Sequence, residues 1–518
     1  MNPLPGEKEL PNTLPHTTAT QVPLRKLQRT MDARHLIMIA LGGVIGSGLF
    51  LSSGYTISQA GPLGAVIAYV IGALVVYLVM ACLGELATAY PVSGAFHIYA
   101  ARSIGPATGF ATAWLYWLCW VVALGSEFTA AGILMQRWFP GVPVWIWCLI
   151  FAAVLFTVNA ISARVFGETE FWFSLIKVVA IVALIVLGGA AIFGITPLSS
   201  EHPAAVLFSN FSTPHGLFPN GVGGVVVTSL AVFYAFSGSE LIGVAAGETK
   251  DPGKNIPRAL RSTVLRLLVL FVGSITVIAA ILPYDKAGVT SSPFVDVFQY
   301  VGVPYAPDIM NFVIITALLS AGNSGLFSCA RMLFSLAEEG HAPKSLMRLT
   351  KRGIPLVALS VSMVLGLVSL LSSVIAAQSV YLALVSIAGF AVVAVWMSIV
   401  ASQFFHRRAF VRRGGDLSTL PYRTPLFPAL PIIAFLLLLI SIVAIAFDPN
   451  QIAALYFGVP FTGLCYLFFW WRYGRRGAKG RAAVSEEAPV DVREDPAAAE
   501  FMEELSERPL NRDDDRSR

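Results

Sequence analysis

The sequence has little charge. Charged residues make up 13% of its 518 residues, whereas hydrophobic residues make up 56%, and an average soluble protein is about a quarter charged. A chain with so few charges and a mean hydropathy of +0.72 is not expected to be a soluble globular protein. The net charge of +5 does not indicate a nucleic-acid partner, because the basic residues cluster in the connectors between apolar runs.

Cysteines and the motifs of catalytic sites are also scarce. The five cysteines lie inside apolar runs without CxxC or CxxH spacing, so we expect buried free thiols and no metal site at Cys82, Cys119, Cys148, Cys329 and Cys465. No HExxH, GxSxG or P-loop pattern occurs in a suitable context, which argues against an enzyme and against a cofactor. The start of the chain lacks the apolar segment of a cleaved signal peptide. The first apolar run is therefore expected to stay in the protein.

Long apolar runs, by contrast, fill most of the chain. A helix needs about 20 apolar residues to cross a bilayer, and the runs do not alternate in polarity as the strands of a transmembrane barrel do. The sequence therefore predicts an all-α polytopic membrane protein with about 12 transmembrane helices. The predicted spans lie near residues 36–57, 63–88, 107–136, 144–162, 171–195, 224–247, 264–283, 306–336, 355–375, 379–404, 430–448 and 452–472.

The two ends of the chain differ from its apolar middle. Residues 1–33 are rich in Pro and Thr and residues 474–518 mix charges of both signs, so both ends are predicted to be disordered, and residues 34–473 to form the transmembrane domain. Basic residues fall on alternate connectors, for example at Arg258 and Arg408. Because basic connectors stay in the cytoplasm during insertion, both termini are predicted to be cytoplasmic.

A glycine-rich segment interrupts the first apolar run. Residues 40–50 read ALGGVIGSGLF, and each glycine inside a helix costs about 1 kcal/mol relative to alanine. One interpretation is close helix packing through Gly42 and Gly46. The other is a broken helix, in which the free amides of Ser47, Gly48 and Leu49 begin a second half-helix whose positive end faces a substrate carboxylate.

The sixth apolar run contains a similar interruption. Residues 233–240 read FYAFSGSE, which places a Ser-Gly-Ser segment beside Glu240 at mid-depth, with Tyr234 and Phe236 as the nearest aromatic candidates. Two interrupted spans at corresponding positions of two halves indicate the substrate site of a secondary transporter. The two interruptions are offset by five spans, so the second runs opposite to the first across the membrane, as in an inverted repeat.

Three charged residues, Glu127, Lys177 and Glu240, lie more than five residues from either end of their predicted spans, and a charge costs about 2.5 to 3.5 kcal/mol at the bilayer centre. Lys177 either extends to the cytoplasmic edge of the bilayer or takes part in transport, and its cost favours transport. Glu240 either carries a proton or bonds to amides freed by the break. Glu127 either faces the cavity and meets a cationic substrate or bonds to neighbouring Ser or Thr side chains. Lys177 and Glu240 are therefore the candidates for proton coupling.

Several motifs resemble the bacterial amino acid transporter family of the amino acid, polyamine and organocation superfamily. The similarity runs from about Arg34 to Trp471 and includes the segments GGVIGSGLF at 42–50, PVSGAF at 91–96, FSGSEL at 236–241, GETKDP at 247–252 and NSGL at 323–326. The resemblance implies a five-plus-five inverted repeat, here about 36–195 and 224–404, followed by extra helices at about 430–472. It also implies import of one amino acid together with protons, by alternating access, across a bacterial cytoplasmic membrane.

The resemblance further implies roles for individual residues. The amides of Ser47 and Gly48 would hold the substrate carboxylate, and carbonyls near Val44, Tyr234 and Ser237 would hold its ammonium. Lys177 would occupy the place that a sodium ion takes in related carriers. The predicted substrate-binding set is Val44, Ile45, Gly46, Ser47, Gly48, Tyr234, Phe236, Ser237, Gly238 and Glu127.

The substrate is the least determined part of this prediction. The segments at 109–117, 135–140 and 170–175 are most similar to S-methylmethionine permeases, and a sulfonium substrate would suit aromatic contacts. An amino acid/amine exchanger or a polyamine carrier would use the same architecture. A nutrient sensor that binds without transporting would use the tail after Gly474 to contact a partner. The expected partners of the carrier itself are an amino acid, protons and the lipid bilayer.

Overall fold

The fold is known from a computed structural model, which describes residues 33–91, 96–161, 163–195, 207–213, 216–244, 246, 249–350, 353–373 and 375–474. The predicted disordered ends lie almost wholly outside these residues. Regular structure in the described part is helical, and its one β contact is an isolated bridge between Thr213 and Gly216. The predicted all-α fold is confirmed, whereas the predicted domain bounds stay predictions.

The helices follow one another with short connectors. In chain order they are α1 (Ala33–Val44), α2 (Ser47–Phe50), α3 (Ser52–Ala89), α4 (Phe96–Ser103), α5 (Pro106–Met135), α6 (Val144–Ile161), α7 (Ala163–Ile192), α8 (Gly223–Val227), α9 (Ser229–Phe236), α10 (Leu241–Val244), α11 (Pro252–Ile281), α12 (Pro293–Val301), α13 (Ala306–Glu338), α14 (Leu356–Gly366), α15 (Ala377–Arg412), α16 (Ala429–Ala444) and α17 (Ala453–Tyr473). Short 3₁₀ helices include Leu367–Ser373 after α14 and Ile445–Phe447 after α16.

The helices account for the predicted spans. Eight helices in the described residues are long and apolar enough to cross a membrane, and the helices at Val144–Ala160 and Leu356–Leu371 are shorter but apolar. The first and sixth predicted spans are missing from that set because both are split, the first into α1, α2 and the start of α3, and the sixth into α8, α9 and α10. With these two spans added, the helices match the dozen spans predicted.

Several predicted boundaries are wrong in the same direction. The helices α7, α11 and α15 extend past the predicted spans 171–195, 264–283 and 379–404 by up to twelve residues at one end. An apolar run marks only the part of a helix that lies in hydrocarbon, whereas backbone hydrogen bonding continues into the polar interface. The boundary between the first two spans is instead hidden inside α3, where Gly61 has a non-helical φ of 76°.

The centre and rim of the protein differ in burial. In the most apolar window of each helix, 89% of α5 and 78% of α15 are buried, but only 17% of α17 is. The helix α5 packs on α13 and α15, and α3 packs on α11. The five cysteines are buried, as predicted. A substrate site is therefore expected among the central helices, and α17 lies at the lipid-facing rim.

A buried ion pair joins α3 to α15. The guanidinium of Arg407 donates from Nε to Glu85 Oε1 at 2.8 Å and from Nη1 to the carbonyl of Thr424 at 2.9 Å. The backbone N–H of Thr424 completes the group by donating to Glu85 Oε2 at 2.7 Å. Because both side chains are almost fully buried, removing one partner would leave an uncompensated charge. The pair fixes the ends of the two helices relative to each other.

Candidate substrate site

The two helix breaks meet in the protein interior. The helix α1 ends at Val44 and α2 begins at Ser47, while α9 ends at Phe236 and α10 begins at Leu241. Gly238 has a φ of 99°, and a Cβ there would lie 2.8 Å from the carbonyl carbon of Gly43. Only glycine combines that backbone conformation with so close a contact. Because α1 ends at Val44 and the next helix begins only at Ser47, the broken helix is the interpretation of the first span that the structure shows.

The second half of the broken first span packs directly on the sixth. A Cβ added to Gly48 would lie 2.5 Å from the Cα of Ala235 and 3.0 Å from its backbone nitrogen. These are backbone atoms that cannot rotate away, so glycine is required where α2 crosses α9. The two half-helices are thus held at backbone contact distance.

A small cavity lies beside the two breaks, between α1, α2, α5, α9 and α13. Six residues of the predicted substrate-binding set line it, namely Val44, Gly46, Gly48, Glu127, Tyr234 and Ser237. The other lining residues were not in the predicted set: Gly43, Trp120, Ala123, Leu124, Ala321, Gly322 and Gly325. These are mostly small or apolar residues on uninterrupted helices. Gly43 and Gly325 belong to the motifs at 42–50 and 323–326, and Trp120 belongs to a cluster of aromatic residues at 114–120, a kind of pattern that is more often packing than ligand wall.

Glu127 faces the cavity and occupies the first break. The backbone N–H of Ser47 donates to both carboxylate oxygens of Glu127 at 3.1 Å, and the Ser47 hydroxyl donates to Oε1 at 2.9 Å. Glu127 is 5% exposed. Glu127 therefore faces the cavity, and the serine that it bonds is Ser47 of the break, not a neighbour along the chain; contact with a cationic substrate stays a prediction. A side-chain carboxylate thus holds the amide that the resemblance assigns to the carboxylate of the substrate.

Hydroxyl groups also bind the side chain and the carbonyl of Ser47. Tyr234 shares a hydrogen bond of 2.6 Å with the hydroxyl of Ser126 and one of 3.2 Å with that of Ser47. Tyr381 donates to the carbonyl oxygen of Ser47 at 2.9 Å. Tyr381 is on α15, far along the chain from both breaks, and no feature of the sequence distinguishes it from other tyrosines in apolar runs. The break is therefore held by side chains from three further helices.

Lys177 is buried and directed at the broken first span. Its Nζ donates to the carbonyl oxygen of Gly42 at 2.6 Å, and the residue has no exposed surface. The alternative in which this side chain extends to the bilayer edge is wrong, because the ammonium points into α1. Gly42 lies in the last turn of α1, where carbonyl groups lack intrahelical donors. Lys177 therefore binds α1 next to its interruption.

Glu240 occupies the second break in a similar way. The backbone N–H of Gly238 donates to both of its carboxylate oxygens, at 3.1 and 3.0 Å, and Trp396 Nε1 donates to Oε2 at 3.3 Å. Of the two predicted alternatives, the structure therefore contains the bonding to a freed amide. Glu240 does not line the cavity, and its role as a proton carrier stays a prediction.

Phe236 needs a correction. Its ring packs against Phe271, with centroids 4.8 Å apart, and against Tyr69, with centroids 6.0 Å apart, and it does not line the cavity. Two residues along a helix rotate the side chain by about 200°, so Phe236 faces away from Tyr234. Among the other predicted residues, Ile45 is fully buried and also lies outside the cavity lining.

Two broken helices that meet beside a buried cavity, in a membrane protein of about a dozen spans, are the defining features of a secondary transporter. The profile of the amino acid permease family matches residues 35–480. The chain belongs to this family of multi-span membrane proteins.

Several proteins are similar to the chain over nearly their whole length. A putative histidine permease of Bacillus subtilis is 52% identical over 467 residues, which cover 90% of this chain and 98% of that protein. The amino-acid permease RocC of the same organism is 52% identical over 86% of this chain and 94% of its own length. The lysine-specific permease LysP of Escherichia coli is 41% identical over 88% of this chain and 95% of its own length.

Proposed function

We propose that the protein imports an amino acid with a cationic or protonatable side chain across a bacterial cytoplasmic membrane, by proton symport and alternating access. The observation that carries this proposal is the bond between Glu127 and the free amide of Ser47. We take the face that carries Arg102, Lys344 and Arg412 as cytoplasmic, because basic connectors stay on that side. Under this orientation, α2 and the start of α3 form the outer half of the broken first span.

Binding of a substrate begins with an exchange of carboxylates. The substrate carboxylate needs the amide of Ser47, so it must displace the carboxylate of Glu127 from that amide. Once displaced, Glu127 is a buried charge that has lost its backbone donor, which is unfavourable. A proton, or the cationic side chain of the substrate, removes that penalty. Substrate binding and charge neutralisation at Glu127 are therefore linked.

Lys177 provides a second link between protons and the broken helix. The ammonium of Lys177 binds the Gly42 carbonyl, and a charged donor forms a stronger hydrogen bond than a neutral amine. Loss of the proton weakens the connection between α7 and α1. A change in the protonation of Lys177 thereby alters how firmly α7 holds α1, the inner half of the broken first span. Alternating access requires that this half-helix can move relative to its neighbours.

The chemistry of the cavity favours a cationic substrate. Its lining includes the carboxylate of Glu127 and the aromatic rings of Trp120 and Tyr234, and both kinds of group attract cations. Two of the similar permeases are named for histidine and lysine, and S-methylmethionine carries a sulfonium. These three amino acids share a cationic or protonatable side chain, and we propose them as the candidate substrates.

Uptake measurements with a Glu127→Gln variant test this substrate class. We expect the wild-type protein to take up labelled lysine, histidine or S-methylmethionine in preference to leucine and glutamate. The substituted amide keeps the shape of the carboxylate but not its charge, so uptake of a cationic substrate should fall at least about tenfold, the equivalent of about 1.4 kcal/mol.

The matched control is Glu338→Gln, which changes an exposed carboxylate at the end of α13 and should leave uptake unchanged. Preference of the wild-type protein for a neutral amino acid would refute the proposed substrate class. Full uptake of the cationic substrate by Glu127→Gln would refute the role of Glu127 as its counter-ion.

A further inference from the structure

We propose that the connector between α16 and α17 holds the outer halves of both broken helices and thereby controls how readily the protein opens to the outside. Asp448 is the positioning residue at the centre of this contact, which we call the outer clasp and define by Tyr55, Val227, Asp448 and Gln451. The proposal rests on the proposed function, since it assumes alternating access.

The outer clasp is a buried hydrogen-bonded group. The hydroxyl of Tyr55 donates to Asp448 Oδ2. Gln451 donates from Nε2 to the same oxygen at 2.5 Å and to the carbonyl oxygen of Val227 at 2.9 Å. The backbone N–H of Asn450 donates to Asp448 Oδ1 at 2.9 Å. Tyr55, Asp448 and Gln451 are each at most 4% exposed, so water does not compete for these bonds.

The clasp connects the two interrupted spans to helices that contribute nothing to the cavity. Tyr55 precedes Gly61 in α3 and so belongs to the outer half of the first span, whereas Val227 ends α8 in the outer half of the sixth. Asp448 and Gln451 lie between α16 and α17, neither of which lines the cavity. Asp448 therefore holds the outer half of the first span directly and the outer half of the sixth through Gln451, and these are the half-helices that must move during outward opening.

The outer side is closed in the structure. The hydroxyl of Ser292, just before α12, donates to the carbonyl oxygen of Phe50 at 2.6 Å. A Cβ on Gly54 would lie 1.9 Å from the carbonyl oxygen of Gly288, so this segment covers the outer half-helix directly. Moving that half-helix outward has to break its bond to Asp448. Because hydrogen bonds to a carboxylate are stronger than neutral ones, the charge of Asp448 favours the closed state.

The test measures outward opening with a reporter cysteine at Ser53, which is fully buried on the same half-helix as Tyr55. The five native cysteines are replaced, Ser53→Cys is added, and intact cells are treated with a membrane-impermeant thiol reagent. Asp448→Asn should accelerate modification at least about fivefold. Tyr55→Phe removes the hydroxyl that donates to Asp448 and should also accelerate modification.

Transport kinetics separate a positioning role from a general loss of stability. When the binding-competent outward state becomes more populated, the apparent affinity for external substrate rises, so KM should fall together with the maximal rate of uptake. A merely destabilised carrier would lose maximal rate at unchanged KM. Asp308→Asn is the matched control, because Asp308 pairs with Arg137 at 2.7 Å on the same outer side but joins α5 to α13, neither of which is interrupted.

Equal modification rates in the parent, Asp448→Asn and Tyr55→Phe proteins would overturn the proposal. If Asp448→Asn does not reach the membrane, Tyr55→Phe, which keeps the buried carboxylate, provides the result. The labelling assay needs no substrate. A parent protein that takes up no amino acid, but whose two variants are both labelled faster, would therefore refute the proposed function and leave the effect of the clasp on outward opening established.

Discussion

Replacement of Lys177 with alanine is expected to abolish the accumulation of substrate driven by a proton gradient. The variant loses the donor to the carbonyl of Gly42 and, with it, the buried group that we propose exchanges a proton next to the broken helix. Substrate binding should persist, because Lys177 does not line the cavity. The measurement is uptake into proteoliposomes with an inward proton gradient, compared with counterflow in the absence of a gradient.

Two further variants make this prediction specific. Lys177→Arg keeps a donor near Gly42 but cannot release its proton, so it should support counterflow without accumulation. Lys286→Ala removes an exposed lysine and should behave as the wild type. Undiminished accumulation in Lys177→Ala would remove this residue from proton coupling.

Replacement of Gly48 with leucine is expected to abolish substrate binding. The added side chain would start 2.5 Å from the Cα of Ala235, which forces α2 away from α9 and displaces the amides that begin the half-helix. The measurement is the stabilisation of the purified protein by its substrate in a thermal unfolding assay, which reports binding directly.

The control for this variant is Gly189→Leu. Gly189 lies on α7 with no atom within 4 Å of an added Cβ, so a leucine there has room. This control should bind substrate with wild-type affinity. Wild-type affinity in Gly48→Leu as well would count against a binding site at the helix break.

The features that the sequence predicts best are residues that are energetically unfavourable in their local setting. Glycines inside an apolar run and charges at mid-membrane are unfavourable wherever they occur, so the segment 40–50 and Lys177 stood out without any knowledge of their neighbours. The same reasoning left the partner of Glu127 open, because the sequence alone does not show that Glu127 lies beside Ser47.

The features that sequence could not predict depend on tertiary contact. Trp120 and Gly325 face the cavity only because α5 packs on α13, and neither residue has a local signal that marks it as cavity lining. Tyr381 contacts the carbonyl of Ser47 from α15 and looks like any other tyrosine of a membrane helix. Phe236 shows the converse error, since its place in the sequence beside the break does not determine the direction of its side chain.

The most direct test of proton-coupled import is uptake by proteoliposomes of a labelled substrate, with and without an imposed inward proton gradient. We expect the gradient to drive concentrative uptake of lysine, histidine or S-methylmethionine, and a protonophore to abolish it. Uptake that is independent of the gradient and requires substrate inside the vesicles would contradict symport and would identify the protein as an exchanger.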